Sequence, residues 1–489
     1  MRRLRTLLLA GCVAALAGCD LAPKYHVPVT SVPVSFKEAS YWRVAQPSDT
    51  VRRGDWWQLF GDRTLNALEA RVDSANPTLA ASLAAYDRAR AFAAQAEAGL
   101  APTIAIGGYS NEDRQSNRRP RRRPGQPNQY LDNSISVRAN YEFDFWDQIA
   151  NQIRAGRDLA QATAADLETT RLLLHADLAN TYLALRGFDA EIAVLRSAVT
   201  AFTQAVRITQ TRFQGKISPF IDVTRAQTQL GIAEAQLTDY LSRRALEEHA
   251  IAVLVGLAPA ELSLPSTAWQ VRQPQISPGL PTTLLERRPD ISAAERQVAA
   301  ANATIGVARA AFYPNVSLDL IYGLQDSGFN IFSIANDFWA VGPGFVLPLF
   351  EGGLLRAEEQ AAIGGYKLAV ANYRQTVLSA FQEVEDDLAL IRLLGEEQKQ
   401  QDAAVAAAQQ TLNMALTLYR DGATSFLDVV VAQTAALQAE ETDVALRTRR
   451  FQASVALIRD IGGGWTTRDL PTPKAMQAQN GAAYADLAH

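Results

Sequence analysis

The sequence predicts a mainly α-helical chain with a membrane β-barrel portion, organised as two internal repeats of helix, β-hairpin, long helix and return helix. Three observations point there. Alanine and leucine dominate all 489 residues without a compositional break, as long helices require. Pro77 to Pro102 and Pro289 to Pro314 have the same spacing and enclose similar alanine-rich helical patterns. Short segments alternate apolar and polar residues with period two, whereas nothing after the N-terminal leader holds the run of about 18 apolar residues that a spanning helix needs. If the mature chain crosses a membrane, it does so with strands.

The chain opens with a secretion signal at residues 1–18. Arg2, Arg3 and Arg5 form its basic start, and Leu7 to Ala17 form an apolar core too short for a permanent anchor. Leu16-Ala17-Gly18-Cys19 resembles the lipobox of bacterial lipoproteins, whose cysteine is lipidated and becomes the new N-terminus. Leu9-Ala10-Gly11-Cys12 leaves too little apolar sequence ahead of it, so Cys19 is the expected lipidation site. A plain cleaved signal with an incidental cysteine is the alternative. Maturation at Cys19 leaves no second thiol, which excludes disulfides and thiolate metal sites. Asp20 follows directly, and in some bacteria an aspartate there retains a lipoprotein in the inner membrane; the barrel is expected to override it. Residues 19–61 then form an extended, lipid-anchored segment.

The first repeat spans 62–260 and the second 289–465, joined by a linker at 261–288 and followed by a tail at 466–489. Each begins with a helix that ends at the second proline, followed by a hairpin at 103–145 in one and 315–349 in the other. In Ser134–Phe145, Ile135, Val137, Ala139, Tyr141, Phe143 and Phe145 fall on one face, with Ser136, Arg138, Asn140, Glu142 and Asp144 on the other. Val316, Leu318, Leu320 and Tyr322 repeat the pattern against Asn315, Ser317 and Asp319. A soluble, half-buried sheet alternates in the same way. Strands of the ~9–11 residues needed to cross a bilayer, together with a secretion signal, favour lipid on one face and water on the other. Four strands cannot close a barrel, and open edges are not viable in lipid. Several chains must therefore contribute, and three chains of four strands would make twelve.

Each hairpin leads into a long helical pattern, 148–212 and 353–418, on the order of 100 Å at ~1.5 Å per residue. Both end at related turns, Phe213-Gln214-Gly215 and Tyr419-Arg420-Asp421-Gly422. Beyond the turns the repeats align without a gap: Phe220-Ile221-Asp222-Val223 matches Phe426-Leu427-Asp428-Val429, and Ala226-Gln227-Thr228 matches Ala432-Gln433-Thr434. Return helices follow at 220–256 and 426–461. Leu185, Phe188, Ile192, Leu195, Val199, Phe202 and Val206 step by three and four, a heptad seam. Val223, Ala226, Leu230, Ala233, Leu237 and Tyr240 answer it from the return helix, so the two form an antiparallel coiled hairpin. Hairpins from several chains would make a hollow helical cylinder continuous with the barrel. A solid helical bundle would leave the strands without a role.

Other function classes find little support. A net charge of −4 indicates no nucleic-acid partner. His26, His175, His249 and His489 are scattered, and there is no phosphate loop, zincin helix or nucleophile elbow, so no enzyme is expected and no cofactor. Arg118, Arg119, Arg121, Arg122 and Arg123 form a basic run interleaved with Pro120 and Pro124. Its place between paired strands reads as an extracellular barrel loop, either solvated or touching lipopolysaccharide phosphates.

Several motifs together resemble the TolC-like outer membrane factor family, in its branch of NodT-type efflux lipoproteins. Trp56-Trp57-Gln58-Leu59-Phe60 with Leu65, Leu68, Asn76-Pro77 and Leu79 is similar to that branch's first-helix signature. Leu284-Leu285-Glu286-Arg287-Arg288-Pro289-Asp290-Ile291, Ala294-Glu295-Arg296, Ile305-Gly306-Val307-Ala308-Arg309 and Phe312-Tyr313-Pro314 resemble its mid-chain signature. Leu347-Pro348-Leu349-Phe350-Glu351-Gly352-Gly353 resembles the start of the second long helix, and Cys19, Pro23, Tyr25 and Pro28 fit the lipoprotein leader. The resemblance runs from about residue 19 to about 465. It implies a homotrimer forming a helical barrel continuous with a 12-stranded β-barrel in the outer membrane of a Gram-negative bacterium. It further implies an exit duct of a tripartite efflux pump for small toxic compounds or drugs, working with a periplasmic adaptor (membrane fusion) protein and an inner-membrane transporter of the RND type. An exit duct for proteins or peptides is the alternative within the class; a lipid-anchored periplasmic scaffold without a pore is the alternative outside it.

The same resemblance places docking and gating at the helix–helix turns. Gly215, Lys216, Ser218, Gly422, Thr424 and Ser425 map to the adaptor-docking tips. Asp222 and Tyr419 map to positions that can link across hairpins, and Asp428 to an acidic ring facing the narrowed lumen. An acid in the first turn of a helix, favoured by the macrodipole, is the simpler reading of Asp222 and Asp428. A second acidic position falls on Val431, and a basic gate position on Thr424, leaving Arg420 as its substitute. The first turn carries Lys216 where the family has glycine, so Gly215, one residue early, is expected to supply the positive φ.

Overall fold

The computed structural model describes residues 20–38, 54–118, 125, 127–267, 271–274, 276, 281–328 and 330–486. Cys19, and the basic run beyond Arg118, lie outside the described residues.

After a 3₁₀ turn at Trp56–Phe60, two helices follow, α1 (Arg63–Ala75) and α2 (Pro77–Ala98). Asp62 Oδ1 caps α1 by accepting from the amides of Thr64 and Leu65 at 2.8 and 3.0 Å. Asn76 Oδ1 caps α2 through Thr78 and Leu79, and Pro77 in its first turn costs no hydrogen bond. Strands β1 (Thr103–Arg114) and β2 (Gln129–Phe143) lead to α3 (Gln148–Gln214) and α4 (Phe220–Leu254). The linker holds the short helix α5 (Pro281–Arg287). The order then repeats as α6 (Pro289–Ala310), β3 (Asn315–Asp326), β4 (Asp337–Val346), α7 (Leu354–Arg420) and α8 (Phe426–Asp460). The long helices have 67 residues each and the return helices 35.

The four strands form one antiparallel sheet in the order β1-β2-β3-β4, with β1 and β4 as open edges. Its register aligns apolar residues into rows across the sheet. Ile106, Val137, Tyr322 and Trp339 make one row; Ile104, Ala139, Leu320 and Val341 make the next. Phe143, Val316 and Phe345 continue the band toward the helices. Most of these side chains are exposed, Ile106 at 73% and Trp339 at 69%, with Ala139, Phe143 and Val316 half-buried among them, so the sheet carries an uncovered apolar face. The opposite face is joined by polar bonds, Asn140 Nδ2 to Asp319 Oδ1 at 2.6 Å and Asn315 Nδ2 to Glu142 Oε1 at 2.8 Å. Among the described residues no helix is long and apolar enough to cross a membrane.

The helices form a single curved layer. Next to the sheet the order is α2, α3, α6, α7; toward the far end it is α4, α3, α8, α7. The rings of Phe188 and Tyr240, 5.9 Å apart, mark the α3–α4 seam. The main core lies where the two repeats join, around Phe60, Leu65, Tyr182, Leu185, Ile251, Leu284, Ile291 and Leu388. At this level each return helix ends in a glycine with positive φ, Gly256 at +71° and Gly462 at +95°. Each tucks beneath the carbonyl that precedes a proline-initiated helix by two residues, Ala75 for the first and Arg287 for the second.

Residues 20–38 lie extended across the helical layer. Asp20 bonds Asn151 and Arg154 of α3, Asn302 of α6 donates to the Pro23 carbonyl, and Glu38 meets Arg392 of α7. The tail carries a further helix, α9 (Pro473–Asp486), to which the sequence assigned no element. Gln479 bonds Tyr86 and Arg90 of α2, and Met476 is buried with Ala93 and Ala160.

Candidate functional site at the helical tips

Both long helices end in the same hydrogen-bonded turn. In the first, Ile217 N–H donates to the Arg212 carbonyl at 2.8 Å and Gly215 N–H to Thr211 at 3.0 Å. In the second, Ala423 N–H donates to Leu418 at 2.8 Å and Asp421 N–H to Thr417 at 3.1 Å. Such a C-terminal motif needs one left-handed residue. In the second turn this is Gly422, with φ +76°. In the first it is Lys216, at φ +57°, while Gly215 keeps φ −76°. The expectation that Gly215 would take the positive φ is thus corrected: the hydrogen-bond ladder fixes which residue turns, and glycine one position early cannot substitute. A lysine there is strained by roughly 1 kcal/mol. Replacing Lys216 with glycine is expected to stabilise the tip by about that amount, slowing amide exchange at residues 215–218 about fivefold. Unchanged or faster exchange would contradict the strain.

Beyond the turns, equivalent acids behave differently. Asp428 Oδ2 accepts from the hydroxyls of Thr424 and Ser425 and from the Ser425 amide at 3.2 Å, closing a capping box on α8. These bonds, that from Thr424 foremost, hold its carboxyl below the ordinary aspartate range although it is fully exposed. Asp222 has Pro219 where Asp428 has Ser425. Proline offers neither hydroxyl nor N–H, so Asp222 turns to Arg225, 3.8 Å away, and is largely buried. Both acids therefore sit in first helical turns, as the macrodipole favours.

Tyr419 is buried against Phe426, Val429 and Ala226, with its ring 5.4 Å from that of Phe426. Among the described residues its hydroxyl has no hydrogen-bond partner. Within the protomer Asp222 and Tyr419 are therefore not bonded. A charged group that crosses between the hairpins comes from a position for which the sequence suggests no role. Arg212 stands over the Tyr419 ring at 4.6 Å, and its Nη1 donates to the Tyr419 carbonyl at 3.1 Å. Arg212 aligns with the apolar Leu418 in the other repeat, and that mismatch was the available signal. Arg420 is exposed and makes no ion pair among the described residues. Gly215, Lys216, Gly422 and Ser425 are exposed at the apices, with Ser218 and Thr424 half-buried beside them. Val431 is exposed at 61%. Among the described residues no group of histidine, cysteine or carboxylate side chains is arranged to hold a metal.

The chain matches the family described as outer membrane efflux protein over residues 70–257 and 280–463, one match on each repeat. It is 30% identical over 433 residues to the pyoverdine export outer membrane protein OpmQ of Pseudomonas putida, covering 85% of this chain and 89% of that protein. It is 28% identical over 463 residues to the toluene efflux pump outer membrane protein TtgC of Pseudomonas putida, covering 94% of this chain and 95% of that one. Its fold is similar to that of the outer-membrane channel OprN, with a TM-score of 0.82 and 27% identity over 91% of this chain and 100% of that one.

Proposed function

This chain belongs to the outer membrane efflux protein family and is an outer-membrane efflux channel, and from that premise we propose that it works as a lipid-anchored homotrimer, gated at its helical tips, that passes small toxic compounds out of the cell. The observation that carries this reading is the four-stranded sheet with one uncovered apolar face and two unpaired edges. Lipid requires every backbone donor and acceptor to be paired. Pairing β4 of one protomer with β1 of the next satisfies this and, three times over, closes a twelve-stranded barrel. The same rotation sets α7, which has no neighbour on its outer side, against α2 and α4 of the adjoining protomer.

The cargo class rests on relatives named for pyoverdine and for toluene, two unlike small molecules. A duct that selects by size and charge accommodates both. Partners of this duct are a periplasmic adaptor engaging the tips around Lys216 and Gly422 and an inner-membrane transporter of the RND type. Three Asp428 carboxylates, kept ionised by their capping bonds, would face the axis and attract cations. Lipidation of Cys19 would anchor each protomer, and Asp20, the next residue, is held at Asn151 and Arg154.

Purified trimers in planar bilayers test the proposal. The wild type is expected to conduct in brief openings, with Asp428→Ser altering its cation preference. A trimer that stays silent in both forms would sink the gated-duct reading.

A further inference from the structure

We infer that Arg212 is the latch that holds the two hairpins of each protomer together at the tip. The inference rests on the duct reading above and assigns the closing contact to a residue outside the positions that family resemblance singles out. Arg212 occupies the last turn of α3, where its own carbonyl accepts the turn-closing bond from Ile217. Its backbone is therefore fixed by the first tip while its guanidinium is spent on the second. There it meets two acceptors of different kind, the Tyr419 carbonyl at the end of α7 and the face of the Tyr419 ring. A carbonyl at a helix C-terminus carries partial negative charge, and an aromatic face attracts a cation, so both contacts favour the same position of the guanidinium.

Other contacts between the hairpins near the tip are weaker in kind. Among the described residues they are the apolar packing of Tyr419, Phe426 and Val429 on Ala226, with Ala205 and Val206 beside it, and a 3.3 Å approach of the Thr434 hydroxyl to Gln229, a hydroxyl that also donates to its own helix. For the second hairpin to swing away from the first, the Arg212 contact must break. Because its counterpart is Leu418, a trimer holds three latches rather than six. The Tyr419 hydroxyl takes no part, since it is buried without a partner.

This separates the ring from the hydroxyl experimentally. The variants Arg212→Ala, Arg212→Lys and Tyr419→Phe are made in the full chain, reconstituted as trimers, and compared in planar bilayers. In parallel, spin labels at Ile217→Cys and Ala423→Cys report the separation of the two apices. Arg212→Ala is expected to raise the conducting fraction on the order of tenfold and to lengthen the label distance, the loss of a charged donor and a cation–π contact together. Arg212→Lys should fall between, as an ammonium bonds the carbonyl but lacks the planar group. Tyr419→Phe should match the wild type in both readouts. The latch is overturned if Arg212→Ala behaves as wild type in the label distance, or if Tyr419→Phe opens as far as Arg212→Ala. Separation of the labels in Arg212→Ala with no conduction in any variant would keep the latch and remove the duct.

Discussion

Gly462→Ala is expected to abolish accumulation of the folded protein. The added Cβ would lie 2.2 Å from the Arg287 carbonyl oxygen and 2.7 Å from its carbon, and φ of +95° is a region that alanine rarely adopts. Neither atom can yield, because Arg287 closes α5 two residues ahead of the proline that begins α6. The cost is expected to exceed roughly 4 kcal/mol, a large share of the total stability of a domain. Gly256→Ala should fail in the same way, with its Cβ 2.2 Å from the Ala75 oxygen. Gly422→Ala is the control: its φ is also positive, at +76°, but nothing lies within 4 Å. It should cost only about 1 kcal/mol. The yield of folded protein in membrane extracts provides the measurement, and a normal yield from Gly462→Ala would refute the close approach.

Arg288→Ala is expected to lower stability by about 3 kcal/mol, the lower end for breaking a buried ion pair, since its acidic partners keep some contact with water. Arg288 is 8% exposed and gathers three elements. Its Nη2 meets Asp290 Oδ2 at 2.7 Å on α6, and its Nη1 meets Glu383 Oε2 at 2.7 Å on α7 and the Asp460 carbonyl at 3.2 Å on α8. Removing it leaves Asp290 and Glu383 without their shared partner and the Asp460 carbonyl without that donor. Arg288→Lys should recover only part of the loss, because one ammonium cannot fork between α6 and α7. Thermal unfolding of the purified protein reads the difference. A melting temperature for Arg288→Ala equal to wild type would show that the hub contributes nothing.

What the sequence disclosed follows from how local each signal is. The strand alternation from Ile135 to Phe143 was legible because the apolar face needs no partner to define it. The repeat was legible because Pro77 and Pro289 begin helices wherever they stand. The tips were found by aligning Phe220 with Phe426. What acts there depends on neighbours distant in the chain, and so was hidden. Tyr419 stands at a position that can link across hairpins, but the sequence does not show that its ring and carbonyl make the contact, because Arg212 arrives from 207 residues away. Lys216 was noticed as unusual but not as the left-handed residue, since that depends on which carbonyl Ile217 reaches. The difference between Asp222 and Asp428 was readable in Pro219 and Ser425, one residue type able to close a capping box and the other not. Met476 gave no local sign of α9, whose buried apolar contact with α2 and α3 is made by alanines.

The matched lengths of α3 with α7 and of α4 with α8 make the two hairpins a pair of rulers cut to one measure. Both start at the end of a strand in the same sheet, so their apices are level only while their residue counts agree. Removing two turns from one hairpin alone would set its apex about 11 Å short of the other and carry Arg212 out of reach of Tyr419. Removing the same two turns from both would shorten the whole object and leave the rim flat. Length changes in this chain are thus tolerable only in step, and the distance the tube can bridge is a property that both repeats must change together.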